Sequence, residues 1–114
     1  MQNKFGFILV SPQLGENIGS CSRAMKNFGF SNLNIVSPRD GWPNTKARMT
    51  SVGAFDIIKS AKIYKNVEDA VKKFDLIFAT SARNRDINKK YVSITNFIKL
   101  LSKYRNSKIG IMFG

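Results

Sequence analysis

The stretch "GENIGSCSRAMKNFGF", Gly15–Phe30, lies between two apolar runs, "FGFILV" (Phe5–Val10) and "LNIV" (Leu33–Val36). Both runs read as buried strands. The segment between them has helical spacing from Ile18 to Phe28. At 100° per residue Ile18, Cys21, Met25 and Phe28 share one stripe, flanked by Ala24, and that stripe is assigned to the core. Gly19, Arg23, Lys26 and Asn27 fall on the other face. Asn17 is the expected N-cap, because its side-chain oxygen can accept one of the orphan amides of a first turn. Strand, helix, strand within 32 residues is a parallel crossover unit, and it sets the reading of the rest.

The alternation continues outward from this unit. Ser37–Lys46, "SPRDGWPNTK", is a loop punctuated by Pro38, Gly41 and Pro43. "ARMTSVGAFDIIKSA" is helical but interrupted at Gly53, and Lys62–Tyr64 is a short strand. "NVEDAVKKF" is a helix capped by Asn66, and Asp75–Thr80 is a fourth strand. A polar, basic loop follows, then a helix capped by Ser93, "SITNFIKLLSKY", and a fifth strand, "KIGIMF". Nearly continuous apolar strands alternating with helices predict an α/β fold, a parallel sheet with helices on both faces. Ligands of such sheets gather beyond the C-terminal strand ends. Here those ends carry "SPQLGEN", "SPRDGWPN" and "TSARNR". The chain stops at Gly114 directly after an apolar strand, and the expectation is truncation where a ligand loop should begin.

At 114 residues there is room for one core, and an apolar share of 43% with 23% charged residues excludes disorder as the main state. No apolar run reaches the roughly 20 residues that span a bilayer. Nothing resembles a secretory leader. One cysteine and no histidine exclude an internal disulfide and argue against a zinc site. The expectation is a cytoplasmic protein without metal or membrane. Nineteen Lys and Arg against seven Asp and Glu give a net charge of +12, an excess that favours a polyanion such as nucleic acid.

Three segments could carry chemistry. In the first, Gly19 and Ser20 would leave an uncrowded approach beside Arg23, where a phosphate or ribose could meet the guanidinium and the helix N-terminus. An ordinary surface arginine fits the same spacing. "GENIG" is neither a dinucleotide fingerprint nor a P-loop, which argues against a nucleoside-triphosphate enzyme. In the second, "ATSARNRD", the small residues Thr80, Ser81 and Ala82 leave the fourth strand and allow a ligand close to the backbone. Arg83 and Arg85 follow, then Lys89 and Lys90; phosphate contact and plain solvation are both open. In the third, Trp42 could stack on a base or plug its own loop.

Taken in order, "ILVSPQLGENIGSCSRAMKNFGF", "LNIVSPRDGWPN", "ATSARNRD" and "GIMFG" resemble the SPOUT (alpha/beta-knot) RNA ribose 2'-O-methyltransferases, in the TrmJ branch of the TrmH group. The block N-I-G-x-x-x-R-A-M-K-N-F-G is the most specific part. The resemblance implies methyl transfer from S-adenosyl-L-methionine to a ribose 2'-hydroxyl in the anticodon-loop region of tRNA. It gives Asn17 and Arg23 catalytic positions. It puts Thr80, Ser81, Ala82 and Gly114 at the cofactor. Lys26, Arg83, Arg85 and Lys89 are then the residues placed to touch RNA. An arginine is charged at neutral pH, so positioning and electrostatic support are expected of Arg23 rather than simple base catalysis. The resemblance further implies a homodimer paired partly through the helix bearing Asn17. It makes residues 1–114 about the first two thirds of a SPOUT domain lacking its C-terminal knot segment, expected to be inactive alone. The alternatives are a non-catalytic basic RNA-binding remnant and, more weakly, a small nucleotide-binding protein.

Overall fold

The computed structural model describes residues 4–80 and 93–114. Five strands form one parallel sheet: β1 (Phe5–Val10), β2 (Asn32–Val36), β3 (Lys62–Tyr64), β4 (Leu76–Ala79) and β5 (Ile109–Phe113). Their order is β3-β2-β1-β5-β4, which leaves β3 and β4 at the edges. β1 lies at the centre, with Ile8 opposite Asn34 on one side and Met112 on the other. The α/β class expected from the alternation is the observed one.

Register sorts the helices between the two faces. Phe7 and Leu9 point toward α1 (Gly15–Asn27), α2 (Thr45–Thr50) and α3 (Phe55–Ser60), around a core of Ile18, Met25, Leu33, Ile35, Ala47, Ile57 and Ile58. Ile8 and Val10 point the other way, where Ala70 of α4 (Val67–Val71) meets Ile8 and Val36. α5 (Ile94–Lys103) returns to the first face, Phe97 packing edge-on against Phe78 with ring centroids 4.6 Å apart. Asn66 and Ser93 cap α4 and α5 as expected, each accepting from the amide three residues on.

Two features of α1 depart from the sequence expectation. The helix starts at Gly15, with Leu14 at the N-cap and no side-chain cap. Asn17 is therefore not the cap: its N–H, like that of Ile18, donates to Leu14 O, and its side chain is exposed within the first turn. The buried residues of α1 are Gly15, Ile18, Gly19, Ser22 and Met25. Phe28 has left helical geometry as the C-cap and is 70% exposed, so it is not part of the core stripe, and Ala24 is exposed too. "NFGF" ends the helix through a left-handed glycine. Gly29 has φ +82°, its N–H donates to Lys26 O, and Phe30 N–H donates to Met25 O at 2.8 Å. This is the Schellman pairing, which turns Phe30 back against the core.

Candidate functional site

The outer side of α1 meets the turn between α2 and α3. Ser20, Arg23, Ala24, Lys26 and Asn27 form one wall of an open groove of about 420 Å³, and Val52, Gly53 and Ala54 form the other. Gly53, at φ +80°, makes the turn that separates α2 from α3. Arg23 is exposed, and among the described residues no carboxylate pairs with it. Lys26 is bound to Asp56 at 2.8 Å, both side chains more than half exposed. The Lys26 ammonium holds the Asp56 carboxyl below its usual range. Of the two cations on this wall, Arg23 is the one left for a ligand.

Gly19 is not part of that opening. It is buried against α2, where an added Cβ would stand 2.7 Å from Ala47 O and closer still to the Thr50 hydroxyl. Gly15 is filled in the same way by Asn44 and Lys46, and buried Ser22 turns its hydroxyl onto Gly19 O at 2.6 Å. The small residues of "GENIGS" are there so that two helices can touch; Ser20 alone of them lines the groove. A signal for this was present in the spacing: Gly15, Gly19 and Ser22 lie one turn apart on one helix face.

The other candidates sit elsewhere. Thr80 closes β4, and its N–H and hydroxyl both reach Met112 O, at 2.8 and 3.3 Å. Gly114 follows β5 against Val10, and both Thr80 and Gly114 are exposed. They share the C-terminal edge of the sheet, as expected, but the groove at Arg23 includes neither. Ser81, Ala82, Arg83, Arg85 and Lys89 lie outside the described residues. Trp42 is half-buried against the α1 core, which makes it a plug rather than an exposed stacking platform. Cys21 is half-buried beside the same core, and burial pushes its thiol pKa up, so it is poorly suited to nucleophilic chemistry.

The same edge holds a feature that the motif reading passed over. "V-S-P" occurs after both β1 and β2, and Ser11 and Ser37 take φ of +50° and +44°. A left-handed residue immediately before proline costs on the order of 1–3 kcal/mol. Hydrogen bonds hold both in place. Ser11 N–H donates to Val36 O, Ser37 N–H to Tyr64 O, and Ser37 Oγ to Lys65 O at 2.7 Å. Arg39 N–H donates to Pro12 O. The three adjacent strand ends are thereby tied into one rigid rim.

The class is that of the parallel α/β sheets, whose ligands as a rule lie beyond the C-terminal strand ends. Residues 4–114 match the SpoU rRNA Methylase family, and the chain belongs to that family. It is 42% identical over 110 residues to a tRNA (cytidine-2'-O-)-methyltransferase TrmJ of Methanocaldococcus jannaschii, covering 94% of this chain and 47% of that protein. Among solved structures it is similar to TrmJ from Z. mobilis, with TM-score 0.85 and 37% identity over 94% of this chain and 48% of the other. A probable methylase family protein from Haemophilus influenzae superposes with TM-score 0.87 and 31% identity, over 100% and 46% of the two chains. The chain thus spans about half the length of the curated relatives it matches. Use of a methyl donor and action on RNA are what this family implies.

Proposed function

We propose that this chain carries the ribose-positioning part of an S-adenosyl-L-methionine-dependent tRNA 2'-O-methyltransferase. The observation that carries the reading is Arg23: an exposed arginine on an open groove, in a chain of net charge +12 that belongs to a methylase family. A ribose hydroxyl is a weak nucleophile, whereas the sulfonium methyl of the donor is already electrophilic. The protein's task is to bring the hydroxyl in line and stabilise charge as its proton leaves. Arg23 is suited to grip the neighbouring phosphate and hold the ribose. Exposed Asn17, six residues nearer the N-terminus of α1 and outside the lining of the Arg23 groove, would accept from or donate to the sugar. Lys26, paired at the surface with Asp56, would meet RNA only by exchanging that carboxylate for a phosphate.

The donor would lie at the other end of the fold, over Thr80 and Gly114; by the family resemblance Ser81 and Ala82 are further cofactor residues of this reading, and Arg83, Arg85 and Lys89 its RNA contacts. Since the Arg23 groove contains neither Thr80 nor Gly114, the reading includes a homodimer in which α1 of one copy faces the strand ends of the other. Val52, an exposed apolar residue lining that groove, and exposed Phe28, next in sequence to Asn27 of its wall, suit such a pairing. The substrate region is the anticodon loop and the setting the cytoplasm. No described helix is long and apolar enough to cross a membrane.

The direct test uses protein purified from its own cells, total tRNA and labelled methyl donor, followed by nucleoside digestion. Label in a 2'-O-methyl nucleoside is expected; label in a base methyl, or none, overturns the reading.

A further inference from the structure

The face of the sheet opposite Arg23 carries a second group of cations. Asn34, fully buried in β2, donates through Nδ2 to Phe7 O at 3.3 Å and to Asn32 Oδ1 at 3.2 Å. Its one side-chain acceptor is given to Lys73, whose Nζ lies 2.8 Å from Asn34 Oδ1 and 3.1 Å from the Tyr64 hydroxyl. The same ammonium stands over the Tyr64 and Phe74 rings, at 5.5 and 5.7 Å. Lys73 is therefore fixed by a buried anchor, and one of its three N–H donors is left over. Lys62 is the direct cross-strand neighbour of Asn34, two residues before Tyr64 and on the same side of β3. Register thus sets Lys62 beside the residue that anchors Lys73.

Nothing acidic offsets them among the described residues. Asp69 is paired with Lys72, and Asp75 accepts from Lys108 N–H at 2.7 Å. The proximity is sufficient for Lys73 to hold the Lys62 pKa below its ordinary value. Two neighbouring like charges, one of them anchored by a buried asparagine and with a donor to spare, form a receptor for an anionic oxygen. β3 is an edge strand, so a large polyanion can reach this point past the edge of the sheet while also lying near the α1 face.

We propose that Lys62 and Lys73, set by Asn34 and Tyr64, bind a backbone phosphate of the RNA at a point remote from the reacting ribose. This rests on the RNA reading above and adds to it a contact that positions the substrate. Its chemistry is phosphodiester recognition, without base specificity.

The test is tRNA binding by the purified chain from 50 to 300 mM KCl, with Lys62→Met, Lys62→Arg and Lys59→Met compared. Lys59 is an exposed lysine of α3 and controls for the loss of one charge. Lys62→Met is expected to weaken binding about three- to tenfold at low salt and to reduce the salt slope by about 1, with Lys62→Arg close to the parent chain. If Lys62→Met behaves as Lys59→Met does, the proposal is wrong. If the parent chain shows no salt-dependent tRNA binding, the RNA reading itself fails. Inorganic phosphate followed by amide shifts at Lys62 and Tyr64 then decides the site alone: shifts lost in Lys62→Met retain an oxyanion site, and no shifts remove it.

Discussion

Arg23→Ala in the protein purified from its own cells is expected to lower methyl transfer to tRNA about 10²–10³-fold, the usual cost of removing one donor to developing charge. Binding of tRNA should weaken by no more than the roughly three- to tenfold expected for one lost phosphate contact, far less than the loss of turnover. Arg23→Lys should recover only part of the loss. A lysine restores the charge but not the planar fork that grips a phosphate and fixes its orientation. Fold is not at issue, since the side chain is exposed and the described acidic residues do not pair with it. The competing reading, a basic RNA-binding remnant, expects the reverse: affinity falls with the charge, and there is no turnover to lose. Single-turnover transfer and equilibrium binding on the same preparations separate the two.

Gly19→Ala is the second large effect, and its sign is informative. Were Gly19 on an open helix face, alanine would stabilise α1 by roughly 1 kcal/mol through helix propensity. In the structure the new methyl meets the Ala47 carbonyl and the Thr50 hydroxyl. A carbonyl inside α2 cannot move without its helix, so overpacking of about 1–3 kcal/mol dominates and the substitution destabilises. For a domain near this size each kcal/mol is worth roughly 4–8 °C in Tm. A fall in Tm is therefore expected for Gly19→Ala, and a larger one for Gly19→Val. A rise on alanine substitution would mean that α1 and α2 do not pack as described.

These two residues, one turn apart, also show where the sequence was and was not readable. β1 and β3 fall where apolar runs placed them, and Asn66 and Ser93 cap their helices, because those signals are local. The helical wheel of α1 separated Ile18 and Met25 from Arg23 and Lys26 correctly. It could not show that α1 has two buried sides, one toward the sheet and one toward α2. Gly15, Gly19 and Ser22 have little hydrophobicity to register on a wheel, yet they are buried because they are small. Phe28 departs in the opposite sense: an aromatic at helical spacing predicts core, but the chain leaves the helix there. Arg23 and the strand-end residues were found as separate motifs. Their separation in space, and the anchoring of Lys73 by buried Asn34, depend on sheet order and register that no single segment encodes.

In the proposed function, the protein methylates tRNA ribose through the face marked by Arg23. The most direct measurement is mass spectrometry of tRNA nucleosides from its source cells, with the gene intact, disrupted, and restored as wild type or Arg23→Ala. Disruption is expected to bring one 2'-O-methyl nucleoside, mapped to the anticodon loop, down to background. The wild-type gene should restore it and Arg23→Ala should not, at equal protein level. An unchanged set of ribose methylations after disruption, or full restoration by Arg23→Ala, would contradict the account.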